Sequence, residues 1–90
     1  MMKITVNLIQ NYKEYLTEEE KSKSTIEKYV RDVTAFMEWA GNRELSKIQV
    51  LDYKKELVEK YTPATVNSIL AALNGFFDYN EWYGMKVKSL

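Results

Sequence analysis

The sequence predicts an all-α fold, a compact four-helix bundle, and three observations carry the prediction. Breakers are few, three Gly and one Pro in 90 residues, which disfavours a turn-rich β architecture. Four stretches place apolar residues at helical spacing. Ser or Thr precedes three of them, where a side-chain oxygen can accept an orphan N–H of the first turn. The length allows one domain, and a hydrophobic content of 46% is enough to fill one core.

The first helix covers about Val6 to Thr17, with Leu8, Ile9, Tyr12, Tyr15 and Leu16 as its apolar face, and Glu18–Lys23 follows as a charged connection or a frayed extension of that helix. The second starts at Ser24, since Ser24-Thr25-Ile26-Glu27 has the form of a capping box. Its face is Ile26, Tyr29, Val30, Val33, Phe36, Met37 and Ala40, and Gly41-Asn42 ends it. The third begins between Ser46 and Gln49 and runs to about Tyr61, burying Val50 or Leu51 together with Leu57 and Val58.

The fourth is the best-marked. Thr62 can cap it, and Pro63 suits the first helical position, where no intrahelical N–H is needed. Val66, Ile69, Leu70, Leu73, Phe76 and Phe77 form its core stripe, and Gly84 stops it after Trp82 or Tyr83. Its other face carries only small and polar residues: Thr65, Asn67, Ser68, Ala71, Ala72, Asn74 and Gly75. Such a face can approach a second helix or a nucleic-acid backbone closely. Trp39 is expected to pack against the first helix, and Trp82 and Tyr83 to close the bottom of the core.

Composition excludes several classes of chemistry. With no His and no Cys, the chain lacks the commonest general base, the strongest nucleophile and the usual zinc ligands. No phosphate loop, HExxH or GxSxG pattern occurs. The Glu18-Glu19-Glu20 run reads as solvated surface, and most of the seven tyrosines lie on apolar stripes. The expectation is therefore a non-enzyme without metal or cofactor, and a soluble cytoplasmic one, since no segment has the length of a membrane span or the form of a secretion leader. Net charge is zero, but Glu14 and Glu18–Glu20 form an acidic pole, while Lys21, Lys23, Lys28 and Arg31, opposed locally by Glu27 and Asp32, form a basic one. Lys86 and Lys88 make the tail basic.

Two motifs in sequence carry a resemblance. Lys23–Trp39 resembles the pattern S-x-T-(x3)-Y-x-x-D-(x3)-F-x-x-W/F, and Thr62–Tyr79 resembles s-x-x-T-(x4)-L-s-A-L-r-x-F-F-x-Y. Together they look like the N-terminal core-binding, SAM-like domain of tyrosine recombinases, the phage integrase family. The resemblance implies a core-binding domain over residues 1–85, with 86–90 starting a linker. It also implies a catalytic domain, in the same longer protein, that carries a tyrosine nucleophile with arginine and histidine partners. The implied partner is double-stranded DNA, gripped at a recombination half-site of a mobile element by an isolated domain that is monomeric.

Carried over residue by residue, the resemblance nominates Ser24, Thr25, Lys28 and Arg31 on the second helix. On the fourth it nominates Thr65, Asn67, Ser68, Ala71 and Asn74. A helix N-terminus offers N–H groups and a positive dipole end to phosphate, and Lys28 and Arg31 add charge. The family often has Ser where Ala71 stands and Arg where Asn74 stands, so weaker DNA binding is expected, although Asn67 and Asn74 retain the donor–acceptor pair that reads adenine edges. The alternative is a small protein-interaction bundle using the same small-residue face, which zero net charge favours.

Overall fold

The computed structural model describes residues 2–90, and within them the chain forms four α-helices and one 3-10 turn. They are α1 (Val6–Glu18), α2 (Lys23–Ala40), α3 (Lys47–Lys60) and α4 (Pro63–Tyr79), followed by the turn Tyr83–Met85. No strand occurs among the described residues. The molecule is a flattened body of 33 × 32 × 21 Å.

Every α-helix starts on a hydroxyl cap. Thr5, Ser22, Ser46 and Thr62 accept from the N–H three residues on, each a contribution of about 1 kcal/mol. Ser22, not Ser24, therefore caps α2, which begins two turn positions earlier than its sequence suggests. Ser22 and Ser24 are equally good caps in isolation. Ser22 wins because its Oγ reaches the Thr25 N–H at 3.1 Å, and its carbonyl accepts from the Ile26 N–H at 3.0 Å. No first turn contains an acidic residue.

Two helices end unexpectedly. Glu20 and Glu81 both adopt a left-handed backbone, at φ 58° and 60°. After α4, the Glu81 N–H reaches Asp78 O at 3.0 Å and the Trp82 N–H reaches Phe77 O at 2.8 Å. The same pair of bonds closes α1 from Glu20 and Lys21 onto Thr17 and Leu16. This is the Schellman arrangement, usually built on glycine. α4 thus stops at Tyr79, short of the expected Trp82 or Tyr83.

α4 is the central element. Its Val66, Leu70, Leu73, Phe76 and Phe77 are all within 1% of complete burial, and Ala72 is buried with them. Fully burying a Phe or Leu contributes about 1.5–3 kcal/mol, so this stripe dominates cohesion. α2 packs along α4 through Val33 and Phe36, α1 adds Ile9, Tyr12 and Leu16, and α3 adds Val50, Tyr53 and Leu57. Of the two expected alternatives on α3, Val50 is buried and Leu51 exposed, and Val58 also faces outward. Trp39, expected against α1, packs on Tyr53 of α3, ring centroids 5.0 Å apart. Trp82 meets Phe76 edge-on at 6.0 Å, as expected of a core-closing residue, but Tyr83 is exposed.

The small residues of α4 divide between two tasks. Ala72 and Gly75 face other helices. A Cβ on Gly75 would lie 2.6 Å from the Tyr12 hydroxyl and 3.7 Å from the Tyr29 ring, so glycine is what lets α1 and α2 close here. Ser68 and Ala71 stay exposed.

Candidate nucleic-acid interface

The α2–α4 contact brings Lys28, Arg31, Thr65 and Ser68 to one open groove, bordered also by Asp32 and Tyr61. Lys28 is the hinge pin of this groove. Its Nζ is paired with Asp32 one helical turn on, and it donates to the Ser68 carbonyl at 2.8 Å. Both ionic side chains are largely covered, 26% and 12% exposed, so the Lys28 charge is mostly compensated within the protein. Arg31 is different. Its side chain is 70% exposed and only grazes Asp32, Nε to Oδ1 4.0 Å. Arg31 is the open cation of this face.

The first turns of α2 and α4 repeat one device. Ser22 Oγ donates to Thr25 Oγ1 at 2.9 Å, and Thr62 Oγ1 donates to Thr65 Oγ1 at 3.2 Å. The two threonine N–H groups are already engaged by those caps, at 3.1 and 3.4 Å. Ser24, in the first turn of α2, is exposed. Thr25 lines a second depression with Lys21, Tyr12, Tyr29, Tyr79 and Gly75, away from the Arg31 groove. Ser24 and Thr25 are therefore not brought together with Thr65 and Ser68.

Asn67 and Asn74 are already engaged with the chain itself. After the 3-10 turn, Lys86–Leu90 doubles back along α4. The Asn74 amide takes the Val87 N–H at 3.0 Å and donates to the Val87 carbonyl at 2.8 Å. Asn67 does the same with Leu90, at 2.7 and 3.5 Å. From α3, Lys47 donates to the Lys86 carbonyl and Lys54 to the Lys88 carbonyl. Val87 is 6% exposed, seated among core residues. The segment expected to start a linker lies as a strap in the α3–α4 groove. Ala71 remains exposed, on the helical stripe between Asn67 and Asn74.

The sequence did not single out Ser22, Lys47 or Lys54. The Ser22-x-x-Thr25 spacing, identical to Thr62-x-x-Thr65, was the available signal for Ser22. The lysines carry none, because their acceptors are backbone carbonyls 39 and 34 residues away.

Among the described residues no helix is long and apolar enough to cross a membrane. No curated protein and no solved structure gives a significant match to the chain. One family model does match, that of the phage integrase N-terminal SAM-like domain, over residues 9–84. That span contains all four helix cores and both motifs read from the sequence, so the chain belongs to the phage integrase family as its N-terminal SAM-like domain.

Proposed function

We propose that this chain is the core-binding domain of a tyrosine-type site-specific recombinase, acting in the cytoplasm on double-stranded DNA. It grips a recombination half-site through the α2–α4 face while a catalytic domain of the same protein cuts and rejoins the strands. The domain supplies position and no chemistry. The observation that carries the reading, beside family membership, is the exposed Arg31 next to Thr65 and Ser68 across an open groove. A guanidinium beside small hydroxyl-bearing residues suits a phosphate oxygen, and Ala71 allows the duplex close approach. Ser24 and Thr25 form a separate, outer contact at the start of α2. Asn67 and Asn74 enter the interface only if the strap leaves them.

The test is an amide-shift NMR titration of the domain with a short duplex at low and moderate salt. Shifts that cluster on Ser24–Arg31 and Thr65–Ala71 and weaken steeply with salt support the reading, because phosphate contacts release counterions. A second reading, a protein-interaction bundle, is favoured by one feature. Ile48, Leu51 and Val58 form an outward apolar stripe on α3, 70%, 44% and 47% exposed. An absence of duplex-induced shifts at low salt would move that reading ahead.

A further inference from the structure

The strap is built as a fitted part. Asn67 and Asn74 are seven residues apart on α4, about 10.5 Å at a helical rise of 1.5 Å. Val87 and Leu90 are three residues apart on the strap, about 10 Å at an extended rise of 3.3 Å. The match lets both carboxamides pair with both backbone groups of an extended segment running antiparallel to the helix. The two amides read backbone, which any sequence offers. The Val87 side chain supplies the apolar anchor.

Four polar groups are consumed by this seat: the carboxamides of Asn67 and Asn74 and the ammonium groups of Lys47 and Lys54. No acidic side chain pairs with Lys47 or Lys54 among the described residues. Their partners are neutral carbonyls, which leave the charges intact. Once the strap lifts, α3 and α4 expose two cations and two amides along one groove, next to the exposed Ala71. Those are the group types that bind phosphate oxygens and base edges.

We infer that the Lys86–Leu90 strap and a DNA duplex compete for the α3–α4 groove, so that strap release adds Lys47, Lys54, Asn67 and Asn74 to the DNA-binding surface. The inference rests on the DNA-binding reading above. It makes the strap an internal occupant that lowers apparent affinity by the fraction of time it is seated. A strap seated about nine-tenths of the time weakens duplex binding about tenfold relative to an open groove.

The experiment uses the whole 90-residue chain, a short mixed-sequence duplex at low salt, and hydrogen exchange at the Val87 and Leu90 N–H groups. Val87→Ser removes the anchor without adding charge, and far-UV circular dichroism checks that the helices remain. Loss of protection at both N–H groups on adding duplex, with tighter binding by Val87→Ser, supports competition. So does binding by Val87→Ser alone where the unaltered chain binds nothing. Retained protection at saturating duplex, with unchanged affinity for Val87→Ser, overturns the competition and leaves the DNA reading standing. Failure of both proteins to bind overturns both. Should Val87→Ser unfold, Lys54→Met takes its place and is read from the salt dependence of duplex binding, because it loosens the strap and removes a phosphate contact at once, two effects that oppose in affinity. A log–log salt slope shallower by about one supports the inference, and an unchanged slope counts against it.

Discussion

Alanine at position 75 tests the packing of α1 and α2 against α4. In an open helix interior, Gly→Ala gains about 1 kcal/mol from propensity alone. Here the new methyl would sit 2.6 Å from the Tyr12 hydroxyl. That ring cannot swing away cheaply, being 1% exposed and packed on Phe76 and Tyr79 at 5.4 and 5.6 Å. Overpacking of a tight core costs about 1–3 kcal/mol. The net expectation for Gly75→Ala is a loss of up to about 2 kcal/mol, with no gain in any case. In a domain of this size a loss of about 2 kcal/mol lowers Tm by about 8–16 °C, at about 4–8 °C per kcal/mol. Removing the hydroxyl with Tyr12→Phe leaves the Tyr29 ring at 3.7 Å as the nearest remaining neighbour, an ordinary contact. In that background Gly75→Ala should recover its gain of about 1 kcal/mol. Urea unfolding of the four proteins, followed by circular dichroism, measures the coupling directly. If Gly75→Ala stabilises equally with Tyr or Phe at position 12, the close-approach argument is refuted.

Other perturbations are equally open to measurement. Ser22→Ala should cost about 1 kcal/mol of unfolding free energy and Ser24→Ala almost nothing, since Ser22 caps α2; equal losses would put the cap elsewhere. Glu81→Gly should stabilise by about 1 kcal/mol by relieving the left-handed backbone at φ 60°, read from the urea midpoint. Asp32→Ala should lower the urea midpoint by about 1–2 kcal/mol equivalent, because Lys28 loses its covered partner, yet tighten duplex binding at low salt by uncovering a cation. Burial raises the Tyr12 and Tyr53 phenols above the ordinary 10.0. The unfolded chain ionises first, so their contribution is intact below pH 10.0 and declines as pH rises beyond it. Tyr12→Phe should flatten that alkaline decline in a pH series of urea midpoints.

Local chemistry made part of this fold readable. The start of α4 is written in adjacent residues, Thr62 and Pro63, and needs nothing from elsewhere. Its end is not, because a glutamate takes the position that glycine normally marks, and no sequence signal announces Glu81 as left-handed. The start of α2 was misplaced at Ser24 because Ser22, two residues earlier, has identical local merit and takes the cap. Arg31 could be nominated from charge placement, and its exposure is what the helical period implies. The engagement of Asn67 and Asn74 was invisible for a different reason. Their partners lie 23 and 13 residues away on a segment with no periodicity. Lys28 divides the same way. Asp32 at i+4 is legible, whereas the Ser68 carbonyl 40 residues on depends on how two helices cross.

The first turns without acidic residues have a design consequence. Asp or Glu near a helix N-terminus typically adds about 0.3–1 kcal/mol, and four helices here forgo it. A consensus-style stabilisation of this domain would place acids at Ser24 or Ala64, the first bringing a negative charge to the outer contact at the start of α2 and the second to the lining of the Arg31 groove. Thermal robustness and affinity for a polyanion would then move in opposite directions at the same positions. A screen selecting only for melting temperature would erode the proposed activity, with every variant still well folded.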